Sequence, residues 1–169
     1  SANARSTVGT LTEIFDYLRL LYARIGRTYS PITGLEVKKD TVSDIVNFIS
    51  EQEEGSRYSI LSPFYYNEGH EPLKAVLDRY EQKGFNRVFI DSQMTRIDEI
   101  VHEEVKGKKK TKKAEDSLGL IVVDRIIVKK EDEENFKRIA DSIETALAES
   151  IGRCTLLDES GNIREFSTR

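Results

Sequence analysis

The chain has 169 residues, 38% of them hydrophobic and 33% charged, enough for one domain whose core buries about 70% of the surface its unfolded chain exposes. No run approaches the ~20 consecutive apolar residues of a membrane span, so a cytoplasmic protein with no membrane partner is expected. A formal net charge of -4 excludes a uniformly basic nucleic-acid surface, and a single cysteine, Cys154, excludes an internal disulfide and, with only His70 and His102 for company, argues against a zinc site.

In chain order, Arg5 to Gly26 predicts a strongly amphipathic helix. Leu11, Ile14, Phe15, Leu18, Leu21, Tyr22 and Ile25 recur at three- and four-residue steps along one side. Thr10 or Thr12 can cap its start and Gly26 can end it. A short irregular link with Pro31 and Gly34 follows, then a helix from about Thr41 to Gln52, capped by Asp40 or Thr41. Arg57 to Tyr66 is rich in aromatic and branched residues and reads as a strand, with Pro63 marking a bulge or edge. His70 to Lys83 is a helix stopped by Gly84, Arg87 to Asp91 a strand, and Ser92 and Gln93 turn into a short returning strand at Met94 to Ile97.

Val105 to Ser117 is low in complexity and lysine-rich, a loop or mobile hairpin by composition. Leu118 to Lys130 is the strongest strand signal, and its near-continuous apolar character implies a central strand covered on both faces. Glu131 to Ile151 is a long helix with an acidic first turn, docked by Phe136, Ile139, Ala140, Ile143, Leu147 and Ile151. Arg153 to Leu157 and Ile163 to Ser167 form a hairpin around Ser160, Gly161 and Asn162. The sum is an α+β fold, with helices on one side of a mainly antiparallel sheet.

Catalytic signatures are missing from this sequence. There is no GxxxxGK[ST] phosphate loop, no GxGxxG, no HExxH and no paired CxxC. The carboxylates Glu51, Glu53, Glu54, Glu103, Glu104 and Glu131 to Glu134 sit in polar segments and read as solvated faces rather than an acid–base pair. His70 and His102 have no partner nucleophile and read as surface or capping residues, and Cys154 reads as a small core residue. Bare inspection favours a binding module over an enzyme.

The wording of several segments is more specific than their periodicity. RSTVGT from Arg5, GFNRVFID from Gly84 to Asp91, VVDRIIV from Val122 to Val128 and RIADSIETAL from Arg138 to Leu147 follow one another over essentially the whole chain. In order and spacing they resemble the UvrA family, the damage-sensing ATPases of the UvrABC excinuclease in bacterial nucleotide excision repair. Family members usually read NPRSTVGT at the first of these segments, so Ser1 to Ala4 (residues 1–4) reads as a cloning scar outside the fold. The resemblance implies that residues 5–30 are a flanking helix from the ATP-binding half and that residues 31–158 are an inserted domain that docks the helicase UvrB. Residues 159–169 would then return toward a zinc module, because EFSTR from Glu165 is similar to the family's approach to a CxxC pair. The chain is thus expected to be an excised docking domain without catalytic residues, cofactor or metal of its own. ATP with magnesium, zinc, DNA binding and a homodimer are expected of the full-length parent. Where some members carry a Cys-Pro-x-His element, this chain has Ser30, Pro31, Ile32 and Thr33, and its lysine loop is longer and more basic than usual.

Carried over from the matching strands, Arg87 and Arg125 are the expected UvrB-binding residues. A guanidinium fork engages a carboxylate through two parallel hydrogen bonds. By alternation Arg87 shares a strand face with Phe89, and Arg125 with Val123 and Ile127, which sets each cation beside apolar area. Read from the residues alone, the same arginines can instead close salt bridges with Asp91 and Asp124 on their own sheet. A competing reading places nucleic acid on Lys106, Lys108, Lys109, Lys110, Lys112 and Lys113, although no aromatic side chains are interleaved there to stack on bases.

Overall fold

Thr41 shows how the local sequence starts the first helix, α1 (Val42–Ser50). Its hydroxyl accepts from the Asp44 amide (3.1 Å) while the Asp44 carboxylate accepts from the Thr41 amide (2.8 Å), a reciprocal capping box. Asp40, the other capping candidate, instead bonds Ser167 near the end of the chain. The computed structural model describes residues 39–105 and 117–169. The helix expected within Arg5 to Gly26, the Pro31 and Gly34 link, and Lys106 to Lys113 lie outside the described residues.

After α1 the chain runs through β1 (Arg57–Tyr66), α2 (Leu73–Gln82), β2 (Arg87–Ile90), β3 (Gln93–Arg96), α3 (Ile97–Val105), β4 (Ser117–Ile127), α4 (Glu133–Glu149), β5 (Arg153–Asp158) and β6 (Ile163–Ser167). The strands form one six-stranded sheet in the order β3-β2-β4-β1-β5-β6, and every neighbouring pair is antiparallel. Lys39–Arg169 is one compact unit.

Four sequence expectations shift. Asp91 and Ser92, with φ of 51° and 61°, make the β2–β3 turn one residue earlier than expected, as a two-residue hairpin turn with both central residues left-handed, which lets Ile90 pair with Gln93. The sequence pattern does not predict helix α3. It is short, acidic and runs into the lysine-rich stretch, and among its described side chains Ile97, Ile100 and Val101 mark the apolar side. Ile151, expected to dock the long helix, is 61% exposed with φ of 58°, since the helix ends at Glu149. Ala146 takes its place in the core. Pro63 lies in a central strand rather than an edge strand, but pairing of β1 with β5 stops at Leu61, so only one side of the strand is paired there.

The core lies between the sheet and the helices. Ile45 and Ile49 of α1, Ile139, Ile143 and Ala146 of α4, and Ile60, Ile126, Val128, Cys154, Leu156 and Phe166 from the sheet form one buried cluster. Leu73, Val76, Leu77 and Tyr80 of α2 and Ile97 of α3 pack on Phe64, Val88 and Ile121 in a second. All four described helices therefore cover the same face of the sheet. Ser62, at the level between the clusters, donates its buried hydroxyl to the Ala146 carbonyl (2.7 Å).

Candidate docking face

The opposite face of the sheet carries its own apolar strip. Leu61, Leu120, Val122 and Leu157 pack together with Phe89 and Met94, and no residue of the four helices joins them. Side-chain alternation explains the division: Ile60, Ser62 and Phe64 of β1 point to the helices, so Leu61 and Pro63 point away. By the same rule Tyr65, Leu118, Ile127 and Ile163, all exposed, fall on this second face.

Arg87 and Arg125 both lie there. Val88 is buried among the helices, which sends Arg87 and Phe89 to the far side. Ile126 is buried against α1 and α4, which sends Arg125 and Ile127 the same way. Arg87 stands opposite Arg96 of β3, and Arg125 opposite Ser59 of β1. Strands β2 and β4 are hydrogen-bonded neighbours with Val88 opposite Ile121. Continuing that register puts Arg87 level with Val122, three residues before Arg125 on the neighbouring strand.

One expected neighbour is wrong. Val123 does not share a face with Arg125 but packs toward the helices. A bulge explains it: Leu61 pairs with Val122 and Ile60 with Asp124, so Val123 is an extra residue on β4. Alternation counted along the sequence cannot see that extra residue.

The electrostatics bear on whether the arginines close ion pairs with Asp91 and Asp124. Asp124 is turned toward α4, where its carboxylate accepts from Arg138 (2.6 and 3.1 Å) and from the Ser142 hydroxyl (2.7 Å). Arg125 touches it only through its backbone amide (2.8 Å). No ion pair joins Arg125 to Asp124 or Arg87 to Asp91, and neither guanidinium has an acidic partner among the described residues. The other arginines of this face are engaged. Arg96 is gripped by Asp98 (2.8 and 3.0 Å), Arg57 lies 3.7 Å from Glu159, and Arg153 donates to the Tyr65 hydroxyl (2.8 Å). Arg125 is exposed and Arg87 half-buried, so neither is interred.

The remaining candidates have no such setting. Cys154 is fully buried, and desolvation pushes its thiol up to about 12, so it packs as a small apolar group and not as a nucleophile. His70 is exposed on the loop before α2, and the His102 side chain lies outside the described residues. Glu51, Glu53, Glu54, Glu131, Glu133 and Glu134 are exposed. Among the described residues no group of three or more His, Cys, Asp or Glu is placed to hold a metal ion, and no helix is long and apolar enough to cross a membrane. Lys108, Lys109, Lys110, Lys112 and Lys113 lie outside the described residues. Sequence reasoning missed the clamp of Arg138 and Ser142 on Asp124, because no pattern in the sequence links positions this far apart.

Comparison with known proteins gives one consistent result. Residues 40–160 match the family model described as the UvrA interaction domain. The chain is 44% identical over 153 residues to UvrABC system protein A of Halalkalibacterium halodurans, covering 90% of the chain and 15% of that protein. It is 40% identical over 168 residues to the protein of that name from Helicobacter pylori, covering 98% of the chain and 17% of the relative. With UvrABC system protein A of Mycoplasma genitalium it shares 39% identity over 167 residues, 99% of the chain and 16% of the relative. The chain thus spans about one sixth of the length of the curated relatives it matches.

Proposed function

The chain belongs to the UvrA family and carries its interaction domain, and we propose that this domain docks the helicase UvrB during nucleotide excision repair, using Arg87 and Arg125 as its charged anchors. The observation that supports this reading is the pairing pattern of the helix-free face. Two guanidiniums without acidic partners among the described residues share a face with apolar side chains, Arg125 with exposed Ile127 and Arg87 with half-buried Phe89, and the neighbouring arginines are engaged. An acidic patch flanked by apolar residues on UvrB would satisfy both forks and bury the apolar margin. That combination of a desolvated charge pair and apolar area is where binding energy concentrates.

The parent protein, on this reading, is a cytoplasmic, DNA-binding homodimer that hydrolyses ATP with magnesium and holds zinc at sites outside this chain. The docking unit is residues 31–158, residues 5–30 lead out of the ATP-binding half, and residues 159–169 carry the chain back toward the zinc module.

The test is titration calorimetry of purified UvrB against the chain and its double variant Arg87→Glu, Arg125→Glu. Affinity is expected to fall by about a hundredfold or more, because two attractive contacts become repulsive. The melting temperature is expected to stay within about 2 °C, since neither side chain has an ion pair to lose among the described residues. Undiminished affinity in the folded variant overturns the assignment.

A further inference from the structure

We propose that Asp124, clamped to α4 by Arg138 and Ser142, is a positioning residue that holds the bulged register of β4 and thereby aims Arg125 at the docking face. The inference rests on the docking role of Arg125 given above and assigns a function to residues on the other side of the sheet.

The geometry of β4 sets the problem. Leu120 and Val122 belong to the apolar strip of the docking face, and Ile121 to the helix face. With simple alternation from Val122, Asp124 and Ile126 would follow it onto the docking face and Arg125 would point into the helices. The extra residue Val123 reverses that parity, because a one-residue shift moves every later side chain to the other face. Beyond the bulge Ile126 and Val128 are buried in the helix-side core, and Arg125 faces outward.

Those two apolar residues hold the far end of the strand, and Val123 at the bulge packs against both helix-side clusters, but apolar contact does not fix a direction. Asp124 adds the directional tie. Its Oδ1 accepts from Arg138 Nη2 at 2.6 Å and from the Arg125 backbone amide at 2.8 Å. Its Oδ2 accepts from Arg138 Nε at 3.1 Å and from the Ser142 hydroxyl at 2.7 Å. One carboxylate thus ties the backbone of the residue that must be aimed to two side chains a single helical turn apart on α4. The Asp124 side chain is 14% exposed and that of Arg138 60% exposed, so the clamp sits at the rim of the core, where removing it need not collapse the packing beneath. Charged, bidentate contacts of this kind carry directional information that apolar burial lacks.

The experiment is a double-mutant cycle read by titration calorimetry with purified UvrB on the 169-residue chain. Asp124→Asn is expected to weaken binding about tenfold with Arg125 present and to have little further effect in an Arg125→Ala background, because its influence passes through that arginine. Asp124→Glu, which keeps the charge, is expected to recover part of the loss. If Asp124→Asn unfolds the chain, Arg138→Lys, which keeps a cation but loses the fork, carries the same cycle with the same expected pattern. Full affinity in a folded Asp124→Asn chain, or an equal loss with and without Arg125, overturns the positioning role while leaving the docking role standing. Full affinity in Arg125→Ala removes the docking role itself and the inference with it.

Discussion

A methyl group at position 119 has nowhere to go. Gly119 on β4 pairs with Phe64 on β1, and the Phe64 ring lies across the glycine, in contact with Tyr80 at 5.4 Å between centroids. A Cβ there would overlap the ring and push it off Tyr80. Gly119→Ala is therefore expected to destabilise the chain by about 1–3 kcal/mol, the usual cost of overpacking a well-filled site. Urea denaturation measures it, and an unchanged midpoint would contradict the packing described. Single contacts govern the docking face as well. An arginine next to an aspartate in sequence can close an ion pair with it, and at Arg125 that neighbour, Asp124, is instead held by Arg138.

Among the elements, the β5–β6 hairpin is organised by one carboxylate. Asp158 accepts from the amides of Ser160 (2.9 Å) and Asn162 (2.8 Å) and from the Asn162 side chain (2.9 Å), while Gly161 between them takes φ of 86°. These hydrogen bonds, led by Asn162, hold the Asp158 carboxyl below its ordinary value of 3.8. A carboxylate with a depressed folded value stabilises the native state above the unfolded value and loses that stabilisation as pH falls through the folded one. Melting temperature is thus expected to drop as pH falls through and below the ordinary carboxylate value of 3.8, and Asp158→Asn to show a shallower slope there. Equal slopes in the two proteins would show that Asp158 does not carry the effect. Helix α3 teaches a related point. Asp98 grips Arg96 and accepts from the Glu99 amide (2.9 Å), so local polar contacts accompany the start of a helix whose described apolar side is Ile97, Ile100 and Val101.

Across the whole described unit, the incoming and outgoing chain are joined. The Asp40 amide donates to the Ser167 carbonyl (2.8 Å), the Ser167 amide to the Asp40 carboxylate (3.0 Å), and the Thr168 amide to the Gly152 carbonyl (2.8 Å). Ends held side by side suit a unit inserted within a longer chain, because they leave the host's connectivity almost undisturbed. Asp40→Ala is expected to cost about 1 kcal/mol, lowering the melting temperature by about 3–5 °C without touching the docking face. A melting temperature equal to the parent's would show that the closure contributes nothing.

Linear signals were enough for the strands from Arg57, Arg87 and Leu118, the helices around α1, α2 and α4, the placement of helices on one side of an antiparallel sheet, and the family. Periodicity, caps and shared segments run along the chain, and a single sequence displays them directly. The strand order, the Val123 bulge and the partner of Asp124 emerge only in three dimensions. A bulge is visible solely against the neighbouring strand, and an aspartate next to an arginine in sequence points to the opposite side of a sheet. That is why the amino-acid order left Arg125 poised between two roles, and why only the folded chain shows Asp124 turned to α4, away from the guanidinium next to it in sequence.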